Sequence, residues 1–324
     1  MKFTDTNIIK PKALKKGDAI GITAPSSQIK IKSISNFATY LTKLGYKVVL
    51  GDTITTVHDK DYNSGTAKQR ADDLNQMIQD NSIKAIFAGA GGFGAQRTSY
   101  YVDFESLKKN PKPIIGFSDT TFLLNAITKA TGIVSFLGPT AEIVDFEKDK
   151  LSIELCLRIL SDEIEYPSPY TNLDGSIIRK ISNSNKSNIG QLIGGNLTMI
   201  QTTLGTDFEV DTDGKILLIE EVSESSYSIE RALDHLISAG KFDNLAGLVF
   251  GEFVNIATEP VQGQQDGNPS IHEILVKKFG NKEYPVLTGY NFSHGGFNLT
   301  LPIGSIAKID GRNRQLSLVD KPVK

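Results

Sequence analysis

The sequence is poor in several residue types, and each shortage excludes a class of protein. A single cysteine, Cys156, stands among 324 residues, so the chain cannot form an internal disulfide. Tryptophan is absent, and the formal net charge is only −2. No basic run is present, which disfavours a nucleic-acid-binding protein because phosphate contacts require a basic face. A small molecule or a small peptide is therefore the expected partner.

Long apolar runs are also missing. No apolar stretch approaches the roughly 20 residues of a membrane span, and the first residues lack the apolar core of a signal peptide. We therefore expect a cytoplasmic protein that makes no membrane contact. Cys156 lies among the apolar residues between Leu151 and Ile159, which predicts a buried helix where the thiol packs as a small hydrophobe.

Hydrophobic periodicity predicts two domains. From Lys16 to Thr140, short apolar runs alternate with amphipathic segments, as in strands joined by helical crossovers in a parallel sheet. Between Asp162 and Asn188 the composition turns polar and rich in proline, which is typical of an interdomain crossing. We predict an α/β domain with a flavodoxin-like or Rossmann-like parallel sheet over 1–165. An interdomain crossing follows at residues 166–188. A smaller, mainly β domain with some helix then occupies residues 189–324.

The segment around Ser118 predicts a nucleophile. An apolar strand ending at Gly116 runs into Ser118 and on into an apolar helix near Phe122. A serine at such a strand-to-helix turn exposes its hydroxyl at the carboxyl end of the sheet, and N–H groups at the helix start can receive an oxyanion. Serine is also a common helix cap, so the segment alone leaves a structural role open.

Only four histidines could supply the base for such a serine. His58 lies in a polar loop, His272 lies near an ordinary helix start, and His235 falls inside an amphipathic helix. His294 lies in a glycine-rich turn between apolar segments, where a rigid scaffold can hold a catalytic loop. His294 is therefore the candidate base.

The third member of a serine triad is a carboxylate that orients the imidazole. Glu220 fits best because it ends the apolar strand 216–219. Glu221 and Glu224 follow closely and remain alternatives for the same role.

The glycine-rich segment from Gly89 to Gly94 has two interpretations. As an oxyanion loop, it would place the N–H of Gly92 with the N–H of Asp119 around a developing negative charge. As a Gly-x-Gly-x-x-Gly fingerprint after a strand, it would bind a dinucleotide in an oxidoreductase. A ligand-binding protein of two α/β lobes without catalysis is a third hypothesis.

Several motifs together resemble the LD-carboxypeptidase family of serine peptidases, which includes the microcin C immunity peptidases. The resemblance covers nearly the whole chain, and no single motif in it is decisive. Its motifs are Lys16-Gly17-Asp18, Ala24-Pro25-Ser26-Ser27, Gly91-Gly92-Phe93-Gly94, Gly116-Phe117-Ser118-Asp119, Gly194-Gly195-Asn196-Leu197, Leu218-Ile219-Glu220-Glu221, Ile229-Glu230-Arg231, Ser293-His294-Gly295 and Leu301-Pro302-Ile303-Gly304.

The resemblance implies a triad of Ser118, Glu220 and His294, with the serine in the first domain and the other two in the second. It also implies a homodimeric hydrolase, free of metal and cofactor, that removes the terminal D-alanine from a murein tetrapeptide in cell-wall recycling. We expect Ser26, Gly91 and Asn196, which lie in the shared motifs, to contact the substrate.

Two departures from the family pattern keep a second substrate open. Many murein-processing members carry an arginine where this chain has Ala90, and a histidine where it has Leu137. Both differences are similar to the microcin C immunity branch, which would cleave aminoacyl-nucleotide amides. That branch is expected to stack its substrate on tryptophan, which this chain lacks.

Overall fold

A computed structural model describes residues 7–29, 31–56, 62–142, 146–257 and 269–324. The predicted loop position of His58 lies outside the described residues. Contacts divide the chain into two units. The first contains Met1–Ile164, Thr300–Ser305 and Lys321–Lys324, and the second contains Glu165–Leu299 and Ile306–Asp320. The linear domain boundaries predicted above do not include these two returns to the first unit.

The first unit is built on a six-stranded sheet. Five strands are parallel in the order β2-β1-β3-β4-β5, which is the flavodoxin-like arrangement, and β12 pairs with β5 in the antiparallel sense. The predicted parallel α/β fold is confirmed. Its strands are β1 Ala19–Thr23, β2 Lys47–Leu50, β3 Ile83–Ala88, β4 Ile114–Gly116, β5 Ser135–Leu137 and β12 Leu301–Ile303.

Helices connect these strands and cover the sheet. Helix α3 begins behind a capping box in which Thr66 accepts from the Gln69 N–H, and Leu74 and Met77 are buried as their spacing predicts. Cys156 is fully buried, also as predicted. The helices are α1 Ile31–Lys43, α2 Asp52–Thr55, α3 Ala67–Gln79, α4 Ala95–Ser99, α5 Phe104–Lys109, α6 Thr121–Thr131 and α7 Phe146–Leu160, with a 3-10 turn over Ser118–Thr120.

The second unit is built on an eight-stranded sheet in the order β6-β14-β13-β8-β9-β10-β11-β7. Its four central strands β8 to β11 are parallel, and the outer strands add to them in the antiparallel sense. The strands are β6 Ser168–Pro169, β7 Arg179–Lys180, β8 Ser187–Asn196, β9 Ile216–Val222, β10 Gly247–Val254, β11 Val286–Thr288, β13 Ile306–Asp310 and β14 Gln315–Leu318.

Three helices, α8 Leu197–Gln201, α9 Ser226–Ser238 and α10 Ile271–Phe279, connect the central strands of the second unit. Apolar residues of α9 and α10 pack with strand residues such as Leu217 and Phe250 in one buried cluster. The predicted strand-rich unit with some helix is confirmed, and the structure adds that its centre is parallel. Within the described ranges, no helix is long and apolar enough to cross a membrane.

Candidate active site

Ser118 occupies a tight turn directly after β4. Its φ of +61° lies in the left-handed region, which a residue with a side chain seldom adopts. Gly116 allows the turn to close, because a Cβ at that position would meet the side chain of Thr120. Ser118 is half-buried, and the chain continues from it through a 3-10 turn into α6. The N–H of Thr120 donates to the Phe117 carbonyl at 3.2 Å, and that of Thr121 donates to the carbonyls of Ser118 and Asp119. The oxyanion role predicted for the Asp119 N–H stays a prediction.

The glycine-rich loop after β3 packs against this turn. A Cβ on Gly91 would lie 2.6 Å from the Cβ of Ser118 and 3.0 Å from its Oγ, so no side chain fits there. Gly92 has a φ of +101°, and a Cβ on it would meet the hydroxyl of Ser27. Gly91 therefore brings its backbone against Ser118, and the oxyanion role predicted for Gly92 stays a prediction.

Side chains on both flanks hold the loop and the turn together. The Ser27 Oγ accepts from the N–H of Phe93 at 2.9 Å, and the Ser27 N–H donates to the Gly91 carbonyl at 3.2 Å. Asp119 is buried, and its Oδ2 accepts from the N–H of Ala95 at 2.8 Å. Asp119 thus joins the Ser118 turn to the start of α4 through its side chain, and the role predicted for its backbone N–H stays a prediction.

Arg70 is a supporting residue that the sequence does not reveal. It is almost fully buried on α3, and its guanidinium donates to the carbonyls of Pro25 at 3.1 Å and Gly94 at 3.1 Å, and to that of Gly65. It therefore connects the segment after β1 to the end of the glycine loop. Helical periodicity gives no signal that a charged residue in this polar helix is buried.

Ser26 is fully buried, and its Oγ has no hydrogen-bond partner among the described residues. A buried hydroxyl without a partner costs free energy unless something supplies one. Its predicted contact with substrate stays a prediction.

In the second unit, Glu220 and His294 form a hydrogen-bonded pair. The His294 Nδ1 lies 2.8 Å from the Glu220 Oε2. The carboxylate is fully buried, whereas the imidazole is 23% exposed. Burial raises the pKa of Glu220, the charge of Glu221 raises it further, and the hydrogen bonds from His294 and Asn196 oppose the rise. Of the candidate carboxylates, Glu220 is the one that contacts the imidazole.

A second carboxylate supports the loop that carries His294. The Ser293 Oγ donates to Glu252 on β10, and it accepts from the N–H of Gly295 at 2.9 Å. A Cβ on Gly251 would meet the carbonyl of Phe292, so the loop lies directly against the strand. The histidine is therefore held on both sides of its own position in the chain.

Asn196 and Glu221 lie beside the pair. The Asn196 Nδ2 donates to Glu220 Oε1 at 3.2 Å and to Glu221 Oε1 at 2.8 Å. The predicted contact of Asn196 with substrate stays a prediction. The sequence does not reveal the contacts of Glu221 or Glu252, because acidic residues at strand ends are commonly solvated.

The predicted site residues are thus brought together within each unit. The first unit groups Ser118 and Asp119 with the glycine loop, and the second groups Glu220, His294 and Asn196. Within the described part of the chain, no group of three or more histidine, cysteine, aspartate or glutamate residues is arranged to hold a metal ion.

Comparisons with known proteins give matches in both units. The model of the LD-carboxypeptidase N-terminal domain matches residues 20–138, and that of the LD-carboxypeptidase C-terminal domain matches residues 189–309. A Bacillus subtilis protein named "Probable murein peptide carboxypeptidase" is 34% identical over 93% of this chain and 91% of its own. The microcin C7 self-immunity protein MccF of Escherichia coli is 28% identical over 94% of each chain.

Solved structures give the same result. An apo structure of an inactive mutant of MccF superimposes with a TM-score of 0.84, at 26% identity, over 97% of this chain and 99% of that one. A muramoyltetrapeptide carboxypeptidase from Oxalobacter formigenes has a TM-score of 0.76 at 26% identity, over 94% of this chain and 100% of its own.

Fold and comparisons together define an enzyme of the serine peptidase class. The chain belongs to the LD-carboxypeptidase family. Membership of this family argues against the dinucleotide interpretation of the Gly89–Gly94 segment. Gly91 of that segment packs against Ser118.

Proposed function

We propose that this protein is a serine carboxypeptidase that hydrolyses the amide bond to the terminal D-alanine of a murein tetrapeptide. The observation that carries the proposal is the 2.8 Å hydrogen bond between Glu220 and His294, which gives the chain an oriented imidazole. The left-handed turn at Ser118 supplies the matching nucleophile. The name of the Bacillus subtilis relative supports a murein peptide as the substrate.

In the proposed mechanism His294 takes the proton of Ser118, and the serine oxygen attacks the carbonyl carbon of the scissile amide. The N–H groups of Gly92 and Asp119 bind the oxyanion. His294 then gives the proton to the departing amine of D-alanine, which leaves an acyl-enzyme ester on Ser118. A water molecule repeats the sequence on the ester and releases the shortened peptide.

Glu220 has the role of fixing the imidazole. By accepting from Nδ1–H it selects the tautomer whose Nε2 can accept the serine proton, and it stabilises the imidazolium that then forms. The contact is to Nδ1, so Nε2 is the nitrogen assigned to proton transfer.

A second candidate substrate is an aminoacyl-nucleotide amide. Its support is the similarity to MccF, for which one solved structure, with a TM-score of 0.83, is described as a complex with glutamyl sulfamoyl guanosine. Ala90 and Leu137 are the residues of this chain that favour this branch.

The test is incubation of the wild type and Ser118→Ala with a murein tetrapeptide ending in D-alanine, with a chelator present, while free D-alanine is followed by mass spectrometry. Release by the wild type alone supports the proposal. Release from neither protein, followed by cleavage of an aminoacyl-nucleotide amide by the wild type alone, would favour the second candidate. Failure with both substrates would contradict the peptidase mechanism. The homodimer and the cytoplasmic location stay predictions, which light scattering and fractionation would test.

A further inference from the structure

A second glutamate next to Glu220 has no role in the mechanism above. Glu220 and Glu221 are neighbours on β9, and both are buried. Burying a carboxylate is costly unless hydrogen bonds or charges compensate it. Two such groups in succession therefore call for a physical reason.

The Glu221 carboxylate accepts four hydrogen bonds from described residues of the second unit. Its Oε1 accepts from the Asn196 Nδ2 at 2.8 Å and from the Val222 N–H at 2.8 Å. Its Oε2 accepts from the N–H of Thr198 at 3.0 Å and from the Thr198 Oγ1 at 2.6 Å. A carboxylate has about four acceptor positions, so this one is saturated and held in a single orientation.

Asn196 transmits that orientation to Glu220. Its Oδ1 accepts from the Met199 N–H at 3.2 Å, so its Nδ2 faces the two carboxylates. The same Nδ2 lies 3.2 Å from Glu220 Oε1 and 2.8 Å from Glu221 Oε1. Asn196 and Glu220 are also paired in register across β8 and β9. The amide therefore holds one oxygen of Glu220 while the other contacts His294.

We propose that Glu221 is a positioning residue that acts through Asn196 to orient Glu220 toward His294. The hydrogen-bonded series runs from Thr198 to Glu221, Asn196, Glu220 and finally to the His294 Nδ1. The catalytic importance of the series rests on the proposed function, whereas its effect on the imidazole follows from the contacts alone.

Electrostatics distinguish this role from simple packing. The charge of Glu221 favours the protonated form of the Glu220–His294 pair, and the amide of Asn196 favours the ionised carboxylate. Among the described residues of the second unit, Glu252 is a further carboxylate next to the histidine loop, where it accepts from Ser293. Removing the charge of Glu221 should therefore lower the pKa of the pair, and removing the Asn196 amide should raise it.

The experiment follows the protonation of the Glu220–His294 pair by NMR, through the imidazole signal, in the wild type, Glu221→Gln, Asn196→Ala and Glu224→Gln. His294→Gln assigns the signal among the four histidines. Glu224→Gln is the matched control, because it removes the same charge from a nearby glutamate outside the series. We expect the midpoint of the pair to fall in Glu221→Gln because a negative charge is removed, to rise in Asn196→Ala, and to stay at the wild-type value in Glu224→Gln.

Equal midpoints in Glu221→Gln and Glu224→Gln, or shifts of the same sign in Glu221→Gln and Asn196→Ala, would overturn the proposal. Circular dichroism shows which variants fold, and Thr198→Val, which keeps both charges and removes one bond to Glu221, replaces Glu221→Gln if that protein does not. Thr198→Val should broaden the NMR signal of the His294 imidazole and shift the midpoint by less than Asn196→Ala does. An NMR spectrum identical to that of the wild type would count against the hydrogen-bonded series.

Activity gives the second readout. With the tetrapeptide, the acid limb of the kcat/KM profile should move in the directions of the NMR midpoints, and kcat should fall about tenfold in Glu221→Gln while KM changes by less than about threefold. An inactive wild type whose histidine midpoints still shift as expected would mean that the proposed function fails and the positioning series stands.

Discussion

Glu220 is held in a form that its surroundings oppose. Burial raises the pKa of this carboxyl group, whereas only the ionised form accepts a charge-assisted hydrogen bond from the His294 Nδ1–H and stabilises an imidazolium. The hydrogen bonds from His294 and Asn196 are what make the ionised form tolerable there. At this residue, function and stability favour different protonation states.

Replacing Glu220 with glutamine should separate its effect on function from its effect on stability. The variant should lose about three to four orders of magnitude in kcat, because the imidazole loses the partner that selects its tautomer. The measurement is D-alanine release under saturating tetrapeptide. Glu224→Gln is the control, and a Glu220→Gln enzyme within tenfold of the wild type would contradict the role of Glu220.

Glu220→Gln should also change how the stability of the protein depends on pH. Because the folded pKa of Glu220 lies above its ordinary value of 4.5, the native state loses stability as pH rises from about 4.5 through that raised pKa. Glutamine has no such proton to lose. The melting temperature of Glu220→Gln relative to the wild type should therefore increase over this interval. A difference that is constant with pH would show that Glu220 has no raised pKa.

Ser26 and Ser27 are adjacent, but replacing each with alanine should have different effects on the free energy of unfolding. Ser26→Ala removes a buried hydroxyl without a described partner, so the free energy of unfolding should stay equal or rise by up to about 1 kcal/mol. Ser27→Ala leaves the Phe93 N–H without its acceptor and should cost about 1 kcal/mol. Urea denaturation of both variants checks this, and a tenfold loss of activity in Ser26→Ala alone would support its contact with substrate.

At the scale of elements, local sequence patterns predict single helices and strands better than they predict which distant strands pair. The helix Ala67–Gln79 begins at a capping box, and the strand Ile83–Ala88 coincides with a short apolar run, so local patterns define both elements. Strand β12 pairs with β5 across more than 150 residues of chain, which no local pattern encodes. The choice between Glu220 and Glu221 was open for a related reason, since strand alternation separates their faces without saying which face holds the histidine.

The contact between the glycine loop and the Ser118 turn can be tested at Gly91. An alanine there would place its Cβ 2.6 Å from that of Ser118, so one of the two elements must move. The backbone of Gly91 has no positive φ, so the effect is steric rather than conformational. We expect kcat to fall at least about a hundredfold, because displacements of about 1 Å at a nucleophile are costly.

Gly45→Ala is the control for that substitution. Gly45 has a φ of +92° and open space around it, so alanine there should cost about 1 kcal/mol of stability and leave kcat unchanged. Equal activity losses at both positions would show that Gly91 acts through global stability.

At the scale of the whole molecule, the chain enters the first unit three times. The last entry, Lys321–Lys324, contributes Val323 to the core of that unit, and backbone hydrogen bonds join Lys324 to Pro11 at 2.9 Å and to Ala13 at 2.8 Å. The first unit therefore includes residues encoded after nearly all of the second. Its stability should depend on them.

Val323→Asp tests this dependence against Val319→Asp, four residues earlier. Val323 is fully buried, whereas Val319 is 37% exposed on the second unit. An unpaired carboxylate in the core should cost about 3 kcal/mol or more, and the exposed substitution should stay within about 0.5 kcal/mol. Hydrogen exchange locates the effect. In Val323→Asp, faster exchange is expected in β1 to β5 of the first unit, because Val323 packs with their residues. Faster exchange confined to β13 and β14, its closest strands in sequence, would contradict the assignment of this segment to the first unit.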